Sequence, residues 1–467
     1  MTSLSPLTSR AAVLCAALAC GLASLSAEAG TGSYLRLFGD TSLWNSRPVS
    51  PVLGTYEIPA SQYFPTIAEG GYSTGLFKAL ASNPAVTVVG LAGTAGVWDP
   101  DAEAYRTGVT IPRWPADVKP AAGSDGHADI VDEAAGVVHS FWQLRNDYGT
   151  WRAAQYAWTP LNGRGWGEGG HYYQGARATG VPAAAGLIRK HEVNDGDTQY
   201  RHALAMSLTF NGLAGTPSYV FPATTADGNA ATANTGQVPE GTLLMLPPTF
   251  DVSRLTSPAL RKVAQTLKTH GGFVVDRNVG TPFVIYVENG SGFKLMPNGW
   301  SNTVAAELDL IRKSLRTVLS TAGWLDANGT AFSPTNKLNV MSMRGSWGRL
   351  SGNGSAAFDT LRQAVVLPAA SVAGEYRNVG NRNVVPPNWA KPVAGQTFKF
   401  SVNASGGARL KLDIVDKATS KVAYSTGYVA HGGTQSFTWP SSNYVTVLYV
   451  ASAAGQEAVV SGRLAQP

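Results

Sequence analysis

Cysteine is almost absent from this chain: two in 467 residues, Cys15 and Cys20. Both lie in a segment expected to be removed on export, so the mature protein is expected to have no disulfide and no thiol chemistry. Stability then rests on core burial, which a chain of this length can supply. Charge is sparse too, with Asp, Glu, Lys and Arg making up 14% of the residues. No basic cluster stands out, which argues against nucleic-acid binding. No apolar run reaches the roughly 20 residues of a bilayer span. HExxH, EF-hand, GxSxG, P-loop and dinucleotide patterns are all missing, so the enzyme classes that depend on them have no motif to stand on.

What is present begins with a leader. Arg10 precedes an apolar run from position 11 to about 25, and Ala27-Glu28-Ala29 supplies a small-x-small cleavage pattern before Gly30. That order reads as a signal peptide over residues 1–29 and predicts a secreted or periplasmic protein. Leu18-Ala19-Cys20 loosely resembles a lipoprotein box, but its leucine sits one place too late. Removing Arg10 and Glu28 leaves the net charge at +6. A basic exported protein is suited to polyanions, and an acidic extracellular polysaccharide is the expected partner; the plainer reading is that a small positive charge aids solubility. The 52 glycines, 12 tryptophans and 17 tyrosines suit a β-rich protein whose rings stack on sugars.

The expected fold is mainly β with a few helices: a sandwich or jelly-roll-like main domain over residues 30–383, then an antiparallel β-sandwich module over 384–467. Residues 30–120 are loop-rich. A hairpin is predicted across residues 133–136, joining 128–132 to 137–144, and a strand over 198–210. Ser257-Pro258 starts a helix that runs to about 270. A second helix is read from about 302 to 321, with Val304, Leu308, Ile311 and Leu315 on one side. Pro386, Pro387 and Pro392 mark a stiff linker before the terminal module.

Histidine is the strongest functional signal. Five of seven fall between positions 127 and 202: His127, His139, His171, His191 and His202. His127 and Asp129 share a strand face, His139 lies with Phe141 and Gln143, and His202 follows Tyr200. Gly163–Arg177 is a glycine-rich segment carrying Trp166, His171, Tyr172 and Tyr173. With Trp142 these make candidate sugar-contacting groups. Arg189 and Glu192, three apart, can pair with each other, or Arg189 can grip a carboxylate. No metal or cofactor is required. His127 and Asp129 with His139 or His202 form a minor transition-metal alternative, and Asp195 with Asp197 a calcium one.

The segments 125–132 (DGHADIVD), 139–145 (HSFWQLR), 186–192 (GLIRKHE) and 200–204 (YRHAL), with Trp44-Asn45, resemble a pattern in uncharacterised secreted bacterial proteins. The resemblance covers roughly residues 40–290 and transfers no activity. Residue chemistry alone suggests a lyase acting on a uronic-acid glycan. Arg177 or Arg189 with Gln143 would neutralise the carboxylate. His127, His139 or His202 would take the proton, and Tyr172, Tyr173 or Tyr200 would protonate the leaving oxygen. A glycoside hydrolase using two of Asp129, Asp132 and Glu192 is one alternative. A carbohydrate-binding or matrix protein without catalysis is the other.

Overall fold

The structure is a computed structural model that describes residues 30–351, 357–379 and 383–467; the expected leader lies outside the described residues. The chain is mainly β. A six-stranded sheet has the order Gly75–Lys78, Ala128–Asp132, Val137–Trp142, Gln155–Pro160, Val97–Asp99, Ala104–Arg106. The predicted hairpin lies at its centre. Asp132 opposes Val137 and Asp129 opposes Ser140, with Gly136 at φ +67° closing the turn.

One face of this sheet packs on a seven-stranded mixed sheet. Leu76, Val131 and Val138 share a core with Ala205, Leu243, Phe273, Val275 and Tyr286. The other face packs on a four-stranded sheet, where Phe77, Ile130 and Phe141 meet Val88, Ile111 and Ala153. The far side of the seven-stranded sheet is covered by two helices. Leu204, Met206 and Val274 meet Leu260, Val263 and Leu267 from one helix, and Leu308 and Ile311 from the other. Helices and three sheets therefore stack in four layers. Ala128–Asp132 is buried at every position because it is covered on both faces.

Pro258–Thr269 is a helix capped by Ser257, whose hydroxyl accepts the Leu260 N–H. The second helix, Asn302–Ser314, is shorter than expected. Leu315 turns extended, and Arg316–Ser320 becomes a strand between Leu243–Met245 and Val52–Leu53. The apolar spacing carries a helical stripe through Leu315, but Thr317-Val318 is β-branched and a sheet edge was available to pair. The strand expected over 198–210 is confined to Leu204–Thr209.

The terminal sandwich is larger than the expected module. Its six-stranded sheet joins Arg409–Asp416 and Tyr444–Ala451 to Gly345–Arg349, Ala357–Thr360 and Glu375–Val379. Val340, Met341, Met343 and Trp347 share its core with Phe400, Leu412 and Val450. The sandwich thus begins near residue 340 rather than 384. The earlier strands lack a clear period-two alternation, which hid them in the sequence.

Candidate functional site

Two buried guanidinium centres lie along the seam between the six- and seven-stranded sheets. Both come from the irregular segment 173–192. It is tied across the seam by the Ala184 N–H to Asp129 Oδ2 at 2.5 Å and the Ile188 N–H to the Tyr286 carbonyl at 3.1 Å.

Arg177 forms the first centre and is 2% exposed. Its Nη1 donates to Asp276 Oδ2 at 3.0 Å and to the Tyr72 carbonyl at 2.9 Å. The guanidinium lies 4.0 Å over the Tyr286 ring. His127 and Asp129 are buried beside it. Burial and then the Arg177 charge hold the His127 ring well below the usual imidazole range, so it stays neutral. Its Nε2 is 3.8 Å from Asp125 Oδ2. Burial pushes Asp129 up to about 6, against the pull of the Ala184 N–H and Arg177.

At the solvent edge of this centre stand three carboxyl groups: Asp125, Asp227 and Asp276, with side chains 30%, 25% and 17% exposed. Asp125 Oδ1 accepts the Trp142 indole N–H at 3.3 Å. Burial raises Asp276 to about 6; Arg177 pulls it down and the Asp227 charge pushes it up. Asp227 is raised by burial, offset by Arg277 3.6 Å away. Behind it, Glu240 is fully buried and held well above the carboxylate range by burial and by Asp227. Aromatic residues lie nearby: the half-buried Trp142 on Asp125, the half-buried Tyr173 within electrostatic reach of Asp227, and Tyr72, whose carbonyl holds Arg177 and whose side chain is exposed. The Tyr173 hydroxyl lies 3.3 Å from that of Thr225.

Asp276 reaches this seam through a bulge. Met206 pairs with Val274, but Ser207 pairs with Asp276, so Val275 is the extra residue. Simple alternation would send Asp276 to the helix side with Val274. The bulge turns it to the seam face used by Phe273 and Val275.

Arg189 forms the second centre. Its Nε donates to the buried Glu288 at 2.9 Å and its Nη1 to the Tyr34 carbonyl at 2.9 Å. Glu192 does not pair with the Arg189 guanidinium; it accepts the Arg189 backbone N–H at 2.9 Å and His202 Nε2 at 3.1 Å. His202 Nδ1 faces the Ala203 carbonyl at 2.9 Å, so both ring nitrogens have acceptors and the ring is an imidazolium. Burial alone would lower His202, but the charge and hydrogen bond of Glu192 outweigh it and raise it. Burial alone would raise Glu192, but His202 brings it down to about 2. Arg189, Glu192, Tyr200 and His202 line one cavity of about 310 Å³.

The expected site residues therefore divide. His127, Asp129, Trp142, Tyr173 and Arg177 gather at the first centre, and Arg189, Glu192, Tyr200 and His202 at the second. His139 joins neither. It opposes Ile130, on the face away from Asp129, and its Nδ1 lies 2.9 Å from the Tyr156 hydroxyl. Gln143 sits at φ +52° in a turn, its N–H on the Asp125 carbonyl. Asp132 is locked by Arg113 with both oxygens at 2.9 Å. In the glycine-rich segment three of the expected sugar-contacting groups, Trp166, His171 and Tyr172, are packed or bonded inside the protein. Trp166 is fully buried, stacked on Trp44 at 4.9 Å. His171 is held by Asp101 at 3.0 Å and by the Trp158 carbonyl, and the Tyr172 hydroxyl donates to the Asn339 carbonyl. Asp101 also takes Arg344 at 2.5 Å, so this segment fastens the terminal sandwich to the main body. Asp195 pairs with Lys262 and Asp197 with Arg201. Among the described residues no group of three or more His, Cys, Asp or Glu side chains is arranged to hold a metal ion. No helix among them is long and apolar enough to cross a membrane.

No family model matches this chain, and no curated protein matches it. The solved structures that show a distant likeness include the following three. A structure of accessory secretory proteins 1, 2 and 3 from Streptococcus pneumoniae is 12% identical over 22% of this chain and 85% of that one, with a TM-score of 0.14. A carbohydrate-binding module described as CBM4 is 10% identical over 26% of this chain and 94% of that one, with a TM-score of 0.16. A glycosylation-associated Gap123 complex from Streptococcus agalactiae is 10% identical over 26% of this chain and 45% of that one, at 0.15. Scores this low carry no argument about fold or function.

Proposed function

We propose that this chain is an exported glycan-cleaving enzyme of the hydrolase type, with Asp276 as proton donor and Asp125 as its carboxylate partner. The observation that carries this reading is the partly exposed Asp276, held by Arg177 and within electrostatic reach of Asp125 and Asp227, with Trp142 bonded to Asp125. Glycosidic hydrolysis needs one carboxyl that is still protonated near neutral pH and another that is ionised. Asp276, raised to about 6, fits the first role. Arg177, already bonded to it, stabilises the carboxylate left once the proton has moved to the glycosidic oxygen. Asp125, oriented by the Trp142 N–H, activates water or attacks the anomeric carbon.

Elimination at a uronic acid is less well supported here. Nη1 of Arg177 is committed to Asp276 and the Tyr72 carbonyl, its partnerless Nε and Nη2 are buried, and an acidic substrate would have to enter among three carboxyl groups. A panel of neutral and acidic polysaccharides separates the two chemistries. Hydrolysis releases reducing ends without ultraviolet absorbance, whereas elimination creates a conjugated uronate that absorbs. Asp276→Asn and Asp125→Asn are each expected to lose about 10²–10⁴ in rate per folded molecule, and Asp276→Asn, which leaves the buried Arg177 without its carboxylate, is also expected to melt lower. Wild-type rates in both folded variants would remove this pair from the chemistry.

A further inference from the structure

We propose that the exposed aromatic pair Phe64 and Trp300, with Tyr63 beside it in sequence, is a surface binding site for a neutral polysaccharide chain. Trp300 is 64% exposed and Phe64 51%, and their rings meet edge-on with centroids 5.3 Å apart. Tyr63 is 56% exposed. Large rings left in water beside one another and rimmed by polar groups mark a binding surface. Phe64 leads into Thr66–Ala68, the edge strand of the seven-stranded sheet. Trp300 leads into the helix Asn302–Ser314, which covers that sheet on the side away from the seam. The patch is therefore separate from Asp125, Asp227 and Asp276, and its role does not depend on their chemistry.

The rings are held in place. The Trp300 indole N–H donates to Asn302 Oδ1 at 2.7 Å, which fixes the ring at the start of the helix. The Tyr63 N–H donates to the Gly280 carbonyl at 2.8 Å. A Cβ on Gly280 would come within 3.0 Å of the Tyr63 ring and 3.1 Å of Gln62 Oε1, so both side chains lie against that turn. The surroundings select the ligand. No charged residue occurs between positions 58 and 68 or between 295 and 306. The polar side chains offered there are amides, and Gln62, Asn298 and Asn302 are all exposed. Amides exchange hydrogen bonds with sugar hydroxyls, while a flat ring covers the apolar C–H face of a pyranose. A uronate polymer or a nucleic acid would find no cation in either segment to hold its charge.

Affinity electrophoresis of the full chain tests this assignment, in gels carrying hydroxyethylcellulose, xylan, galactomannan, amylopectin or, as the acidic counterpart, polygalacturonate. At least one neutral polymer is expected to retard the wild type. Trp300→Ala and Phe64→Ala should each weaken that binding by about fivefold or more, the effect of losing one stacking ring. Their melting temperatures should stay close to the wild type, because both rings are largely in water. Trp300→Phe keeps a flat face and should retain most of the binding. Tyr148→Ala removes a fully exposed ring from a hairpin turn and should change nothing. Asp125→Asn should be retarded like the wild type, so failure of the cleavage reading and failure of this one are read separately. Retardation by no neutral polymer would overturn the proposal, as would binding untouched by both alanine variants or lost equally in Tyr148→Ala. So would a dimer that Trp300→Ala converts to monomer while retardation persists, since the patch would then be covered by a second copy.

Discussion

Replacing His139 by glutamine should make the protein's stability less sensitive to acid, by an amount the structure allows to be worked out. Burial first, and Arg113 second, hold the His139 ring down at about 4 against the pull of Asp132, from an ordinary value of 6.5. Its Nδ1 meets the Tyr156 hydroxyl, while its Nε2 is buried with no partner, so a second ring proton would have nowhere to go. The folded value lies below the unfolded one, so the unfolded chain binds more protons between the two. Stability from the neutral ring is therefore complete above pH 6.5 and falls as pH drops, levelling off below about 4. The drop from 6.5 to about 4, at about 1.4 kcal/mol per pH unit, amounts to roughly 3 kcal/mol. The whole protein will not show this slope directly. Asp129 and Asp276, raised to about 6, gain stability over the same range, because there the folded state binds the extra protons. The difference between variant and wild type isolates the histidine. Urea unfolding followed by tryptophan fluorescence at pH 7, 5.5 and 4 should show the His139→Gln deficit shrinking by about 3 kcal/mol between the extremes. A deficit that stays constant or widens on acidification would refute the reasoning.

Other outcomes follow from the packing. A fragment of residues 384–467 should fail to melt cooperatively, whereas 338–467 should do so. Gly345–Arg349 and Glu375–Val379 complete the sheet beside Tyr444–Ala451, and the shorter fragment lacks them. A cooperative melt of the short fragment by calorimetry would show those strands to be dispensable. Trp166→Ala should cost about 3–5 kcal/mol, because the ring is fully buried between Trp44 and Phe273. Glycan affinity per folded molecule, measured on the same preparation, should not change.

The hairpin around residues 133–136, the Ser257-capped helix and the alternating strands after residue 397 could all be read from the sequence, since each carries its own local period and cap. The face of His139 was legible too. A four-residue turn pairs Asp132 with Val137, and counting back sets His139 opposite Ile130, away from Asp129. The role of Asp276 was not legible. It closes an apolar strand run, but only a bulge set by the neighbouring strand turns it to the seam. Asp125 stood within the histidine-bearing segment, yet its partners Asp227 and Asp276 lie 102 and 151 residues further along and meet it only through sheet packing. The glycine-rich segment misled for a related reason. Its aromatic residues suit sugars, but they suit a joint between two sandwiches equally well, and only the positions of Asp101, Asn339 and Arg344 decide between the two.

The pH dependence of cleavage in wild type and in Asp227→Asn tests the central claim most directly. With Asp276 as proton donor, kcat/KM on the best polysaccharide of the panel should fall as pH rises through about 6, as the carboxyl ionises. Asp227 pushes Asp276 upward, so removing its charge should move that limb to lower pH while the enzyme stays folded. Rates that stay flat between pH 5 and 7, or a limb that does not move in Asp227→Asn, would contradict the assignment of Asp276.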